Sequence, residues 1–239
     1  MPAAPIHWSI PSGSRFWRTG QAITRVLRDS TRTDEIVVAE EILAQRQLRY
    51  WVESGVFEYG EGRALFEDRP EICQTSVDDL RALAEGTLGR EFARFLDFHG
   101  LGLEALDLPA PYTPGEAEAY LMKRLRGCHD IWHTLIGAGT HGHEEVLVHC
   151  FSVAQTGLPY SVAIIGLGAI KPMVLEGRWS TLLRDTRRAY RCGRDARSIL
   201  TAYWERRWDQ PLDEVRREFG IVPLQELALP SDTAPRAAA

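Results

Sequence analysis

Apolar residues recur three and four positions apart along most of this 239-residue chain and almost nowhere alternate with period two. That spacing gives a helix one greasy face, whereas period-two alternation marks a half-buried strand. An all-α fold follows. Helical patterns are predicted over residues 15–28, 33–53, 76–84, 87–99, 114–135, 144–154, 180–193, 196–208 and 211–219, and only the short stretch GVFEYG, residues 55–60, alternates as a strand would. A chain of this length buries about 70–75% of its unfolded surface, enough for one core without staples. The expectation is a single-domain helical bundle over 15–225, preceded by an N-terminal arm over 1–14 and followed by a disordered tail over 226–239 that ends in LPSDTAPRAAA. The loop GLGLEALDLPAPYTP is the one plausible seam, and no internal repeat is present.

The central helix has the best-marked start. Thr113-Pro114-Gly115-Glu116 offers an N-cap, a proline at the first helical position and an acid placed for a capping box. At about 100° per residue, Leu121, Leu125, Cys128, Trp132 and Leu135 form an apolar stripe. His129 and His133, four apart, stand one above the other at its edge, and Asp130 lies beyond them toward the polar side. This is the spacing of a metal-binding pair facing a cavity with one greasy wall.

A carboxylate would complete such a site. Glu145 follows His133 by twelve residues, which on one continuous helix would set it about 18 Å further along. Gly137, Gly139 and Gly142 supply a turn, since glycine accepts the conformations that end helices. A second helix then runs back, expected to complete a central metal-binding helical hairpin. On that helix Val146, Leu147, Cys150, Phe151, Val153 and Ala154 leave only a narrow polar stripe of Glu145, His149 and Ser152. A buried carboxylate needs a partner. The two imidazoles with a divalent cation would be one, and this donor set suits zinc as well as iron, cobalt or manganese. The competing reading pairs Glu145 with Arg124 or Arg126 and gives His149 a backbone carbonyl. His141 and His143, on the turn, are expected to face solvent, and Glu144 to sit at a helix N-terminus where the dipole favours it. Asp130 follows the first histidine where a zinc peptidase needs glutamate, and neither GxSxG nor GxxxxGK[ST] occurs.

Charge and cysteines narrow the partners. Arginine outnumbers lysine by 26 to 2, yet 33 acids leave a net charge of −5, which argues against nucleic acid. Cys73, Cys128, Cys150 and Cys192 form no CxxC pair, as suits thiols in a reducing compartment. The first thirty residues carry four arginines and no acid before Asp29, superficially like a presequence. The apolar run 158–170 is 13 residues long, too short to cross a bilayer as a helix. It is expected to be a buried core segment, with a lipid-facing wall as the alternative.

HDxxH followed by eleven residues and a glutamate, here His129-Asp130, His133 and Glu145, resembles the signature of the coenzyme Q (ubiquinone) biosynthesis protein Coq-four family. EGTLGREFARFLDFHGL upstream, FSVAQTGLP directly downstream and YWERRWDQPLDEVRREFGI near the end resemble the family's segments in the same order, so the likeness spans about 15–222. The resemblance implies a nearly all-helical domain with a divalent metal, usually zinc, held by His129, Asp130, His133 and Glu145. It also implies a polyprenyl chain in an apolar cleft, a place on the inner membrane surface, a homodimer and action with other quinone-biosynthesis enzymes. The implied activity is removal of the C1 carboxylate from a polyprenylated benzoate ring, with hydroxylation at that carbon. Asp130 and His149 are the candidate proton carriers. Three features depart from the family: Glu144 stands where glycine is common, His149 adds an imidazole one turn past Glu145, and the turn reads THGH. Because the likeness begins so near the N-terminus, the expected location is cytoplasmic and peripheral on the inner membrane, with the matrix side of the mitochondrial inner membrane as the alternative. A rival reading is a non-catalytic lipid-binding organiser whose metal staples two helices, and a metal-dependent hydrolase is a third.

Overall fold

A computed structural model describes residues 4–7, 33–174 and 179–226. Among them are nine α-helices and no strand: α1 Thr33–Glu53, α2 Gly60–Asp68, α3 Val77–Ala82, α4 Leu88–His99, α5 Glu116–Ile136, α6 Gly142–Thr156, α7 Pro159–Val174, α8 Trp179–Asp195 and α9 Leu212–Phe219. Single 3-10 turns occur at Ile72–Gln74, Leu103–Leu106 and Trp204–Arg206. The all-α, single-domain expectation therefore holds.

Local chemistry explains the clear starts. Ser76 Oγ accepts from Asp79 N at 3.2 Å and Thr87 Oγ1 from Arg90 N at 3.4 Å, each satisfying an amide that the first helical turn leaves open. Leu88, Phe92, Ala93 and Leu96 bury one face of α4, and the predicted stripe Leu121, Leu125, Cys128, Trp132 and Leu135 is buried on α5. α6 is buried from Val146 to Thr156 except at His149 and packs most extensively against α8 and α7, while α1 lies across α5 and α7. One hydrophobic cluster links Leu48, Phe92, Leu125, Phe151, Ala189, Trp204 and Val215. The N-terminal residues join it from outside. Ala4 N donates to Ala154 O at 3.0 Å and His7 N to Gln47 Oε1 at 2.8 Å. Gly157 ends α6 at φ 66°, and the Pro5 carbonyl oxygen occupies the space a Cβ would need there, 2.2 Å from its ideal position.

Several expectations need correction. Residues 196–208 are irregular apart from Trp204–Arg206. Ala196, Ile199, Leu200 and Trp204 are buried with helix-like spacing, but side chains and a helix-end carbonyl from elsewhere take the polar groups. Ile199 N donates to Gln155 Oε1 at 2.9 Å, Arg197 N to Phe219 O at 2.7 Å, and Arg124 Nη2 to Ala202 O at 3.2 Å. Residues 55–59 form a turn, closed by Glu58 N on Gly55 O at 3.0 Å, with Phe57 stacked on Phe66, and Gly60 opens α2. No neighbouring strand exists among the described residues to pair with it. α5 begins at Glu116 after Gly115, because the Thr113 hydroxyl donates back to Ala110 O at 2.6 Å instead of capping. Helix α2 escaped the sequence reading. The apolar run 158–170 lies on helix α7 from Pro159 onward and is not simply core: Leu158, just before the helix, is buried, but Val162 through Ile165 are half-exposed. The predicted helix 15–28 lies outside the described residues, as do most of the arm and all of the tail beyond Glu226. All four cysteines are free thiols, and no helix among the described residues is long and apolar enough to cross a membrane.

Candidate metal centre

The turn between α5 and α6 is heavily braced. α5 stops at Gly137, whose φ of 69° lies in the left-handed region that glycine adopts without strain. The last carbonyls of a helix lack partners within it. Here Arg216 of α9 reaches across, donating from Nε to Leu135 O at 2.9 Å and from Nη2 to Thr134 O at 3.1 Å. On the far side, Glu144 accepts from Gly139 N at 2.9 Å and His141 N at 3.3 Å, fixing the start of α6. His141 and His143 are exposed, as expected. Thr140 Oγ1 meets His99 Nδ1 of α4 at 2.9 Å.

The reversal brings Glu145 back to the two histidines. Its Oε2 lies 3.5 Å from His133 Nε2 and 3.8 Å from His129 Nε2. Neither Nε2 has a hydrogen-bond partner, although both are buried. His133 is 0% exposed, and its Nδ1 lies 3.0 Å from Gly139 O and 3.3 Å from Ala138 O. Carbonyl oxygens only accept, so Nδ1 donates to them, and Nε2 faces the Glu145 carboxylate. Phe95 of α4 stacks on the outer face of this ring, 5.3 Å between centroids. Two buried imidazole nitrogens without hydrogen-bond partners and a carboxylate oxygen form a donor set that a divalent cation accepts. Asp130 is on the other edge of His129, with Oδ1 3.5 Å from Nδ1.

Arg124 and Arg126 do not take Glu145. Arg124 pairs with Glu205, while Arg126 donates from Nε to Glu40 at 3.0 Å and from Nη2 to Glu41 at 3.2 Å. His149 meets no carbonyl either: its Nδ1 lies 3.2 Å from Ser161 Oγ, and its ring centroid is 5.2 Å from that of His129. Burial, reinforced by His129 and His133, holds His149 well below the ordinary imidazole pKa. At His129 burial pulls the same way, but Asp130 and Glu145 outweigh it and raise the pKa.

Four neighbours were not foreseen. Burial raises the Glu40 carboxyl despite Arg126 beside it, and burial raises the Tyr160 hydroxyl. Tyr160 stands edge-on to His149 at 5.9 Å. Ser161 and Glu41 complete the group. Tyr160 and Ser161 were visible as two polar groups at the head of the longest apolar run. Glu40 and Glu41 carried no such signal, because only the packing of α1 on α5 turns them inward.

One residue along from His149 and from Ser161, Cys150 and Val162 line a groove of about 730 Å³. Ile6, Val153 and Ile165 continue its apolar wall, and Arg187, Arg191 and Arg194 stand at its α8 side.

Residues 7–225 match the family model described as coenzyme Q (ubiquinone) biosynthesis protein Coq4. The chain is 38% identical over 170 residues to the mitochondrial ubiquinone biosynthesis protein COQ4 homolog of Xenopus laevis, covering 70% of this chain and 59% of that protein. It is 30% identical over 205 residues to the mitochondrial ubiquinone biosynthesis protein COQ4 of Coprinopsis cinerea, covering 85% and 69%. The matched stretch is thus less than two thirds of the frog protein. A crystal structure at 2.85 Å of a candidate ubiquinone biosynthesis protein from Nostoc punctiforme PCC 73102 superposes with a TM-score of 0.68 at 26% identity, covering 85% of this chain and 96% of that one.

Proposed function

Since the chain belongs to the coenzyme Q (ubiquinone) biosynthesis protein Coq4 family, we propose that it serves ubiquinone biosynthesis as a metal-dependent enzyme acting on a polyprenylated hydroxybenzoate. The reaction is loss of the C1 carboxylate as CO₂ with a hydroxyl from water taking its place at that carbon, O₂ being the two-electron oxidant and leaving as hydrogen peroxide. The observation that supports this reading is the convergence of two orphaned, buried imidazole nitrogens on Glu145. His129, His133 and Glu145 hold the metal, with Asp130 beside the first ring. Zinc heads the candidates, followed by iron, cobalt and manganese. When bound, the ion supplies positive charge that stabilises negative charge developing at the reacting ring.

The chain's own groups do the rest. Trp132 and Leu135 on the buried stripe of α5 keep water from one side of the site. Asp130, half-exposed and open to solvent, and His149, held uncharged by burial and so able to accept a proton, are the candidate proton carriers. The prenyl chain occupies the groove walled by Val153, Val162 and Ile165, which accounts for apolar side chains left half-exposed on α7. We further propose a homodimer acting with other quinone-biosynthesis enzymes at a membrane surface, either from the cytoplasm or, like the relatives named mitochondrial, inside that organelle.

Glu145→Gln tests the reading. It keeps side-chain size but removes the charge the cation needs. The variant is expected to fold, to fail to restore quinone synthesis in a strain lacking the gene, and to accumulate a prenylated ring that still carries its C1 carboxylate, with a rate loss on the order of 10²–10³. Full rescue by the folded variant would leave the catalytic role without support and favour a lipid-binding organiser.

A further inference from the structure

Arg126 is a buried cation beside the candidate metal centre that the proposed chemistry leaves unused. It precedes His129 by three residues and Asp130 by four on α5, so it shares their helix face, one turn nearer the N-terminus. Helix α1, which lies across α5 and α7, supplies its two anchors. Glu40 accepts from Nε at 3.0 Å and Glu41 from Nη2 at 3.2 Å. Glu41 is itself fixed, because its other oxygen accepts from Tyr112 N at 2.9 Å. The Arg126 side chain is only 9% exposed, yet its Nη1 is buried with no hydrogen-bond partner. A guanidinium only donates, and buried donors without acceptors are rare in native folds. The two carboxylates hold the fork at Nε and Nη2 and leave Nη1 for an acceptor from outside the chain.

The surroundings of that nitrogen belong to the metal centre. Glu40 and His129 act on each other electrostatically, and the Tyr160 hydroxyl stands in the combined fields of Glu40, Glu145 and Arg126. Tyr160 is in turn edge-on to His149, whose ring centroid is 5.2 Å from that of His129. Arg126 and Glu145 therefore neighbour the same hydroxyl from two different helices.

From this placement we propose that Arg126 determines specificity: its Nη1 donates a hydrogen bond to the phenolic oxygen of the ring substrate. This rests on the reading of the site as one for a polyprenylated hydroxybenzoate. Charge decides between the two oxygen-bearing groups of such a ring. Glu40 and Glu41 already offset the guanidinium, so it offers a directional donor with little net positive charge, which suits a phenolic oxygen. The carboxylate is better matched by the centre at His129, Asp130, His133 and Glu145. No proton moves in the contact, because arginine stays charged throughout.

The test compares ligands and needs no turnover. Full-length, zinc-loaded protein is titrated calorimetrically with three probes: a prenylated hydroxybenzoate, the same molecule with hydrogen in place of the hydroxyl, and the same molecule without the carboxylate. The wild type is expected to bind the first about 10–100-fold more tightly than the second. Arg126→Lys keeps a positive charge against Glu40 and Glu41 but lacks the forked nitrogens. It should abolish that preference while leaving the Kd of the probe without hydroxyl nearly unchanged, a pattern that a general loosening of the fold would not give. Tyr160→Phe should keep the preference, and it decides the matter together with the wild type if the lysine variant fails to fold. A wild type without the preference overturns the proposal, as does a preference that survives in folded Arg126→Lys or vanishes in Tyr160→Phe. So does an Arg126→Lys defect that follows the carboxylate and not the hydroxyl, since Arg126 would then anchor the acid. A protein that binds none of the three probes removes the hydroxybenzoate reading itself, a result distinct from a missing preference among probes that bind.

Discussion

Two groups of buried polar side chains share helix α5 and its neighbours, and they are completed in different ways. Five residues before His129, Arg124 is 3% exposed and is answered in place. Its guanidinium reaches both Glu205 oxygens, Ala202 O and Pro70 O, leaving only Nε unpaired. Nearby Arg207 is forked onto Glu218 at 2.7 and 3.1 Å and onto Glu61 at 2.6 Å. In the hairpin, by contrast, two buried imidazole nitrogens face a carboxylate and have no hydrogen-bond partner. A buried network that satisfies itself holds the fold together. One whose buried nitrogens lack partners is open to a group from outside the chain.

The largest effect should come from the self-satisfied group. Glu205→Ala strands the Arg124 charge in the interior and should cost about 3–5 kcal/mol in urea unfolding, with metal content unchanged. If the metal is lost as well, the two groups are not independent and the contrast fails. Removing the metal with a chelator should come next. Relative to protein with free metal at 100 times Kd, stability should fall by about 2.7 kcal/mol, and the same shift should appear in the Glu205 variant if the sites add. Failure of added metal to stabilise the protein would place the hairpin with the self-contained networks.

The smallest effect is acid dependence. Arg207 beside Glu218 holds that carboxyl below its ordinary pKa. A carboxyl lowered in the folded state contributes stability that is present above its unfolded pKa and disappears as pH falls through the folded value. Unfolding followed from neutral pH into the acid range should therefore show a loss below the ordinary carboxylate pKa that Arg207→Gln diminishes. An identical profile in that variant would deny the pair any share in acid stability.

Much of this could be read before the structure, for identifiable reasons. The stripe on α5 and the polar stripe on α6 are facts of helical period, so His129, His133, Glu145 and His149 were found together. The glycine turn was legible because Gly137 must end a helix. Its bracing was not: Arg216 is 79 residues from Gly137 along the chain, and nothing local marks it as a cap. The edge of the His129 ring that Asp130 meets was likewise out of reach, because spacing tells which residues share a face and not which edge of an imidazole each one faces. Residues 196–208 misled because burial with helix-like spacing can be met by irregular backbone when Gln155 and Arg124 supply the hydrogen bonds.

The contact between Pro5 and Gly157 bears on how the protein is handled. Ile6 forms part of the groove wall, so a purification tag or fluorescent fusion attached close to Ala4 would start beside the groove proposed to hold the prenyl chain. The same proximity makes position 6 a natural place for a reporter dye, whose emission would register whether that compartment is full or vacant.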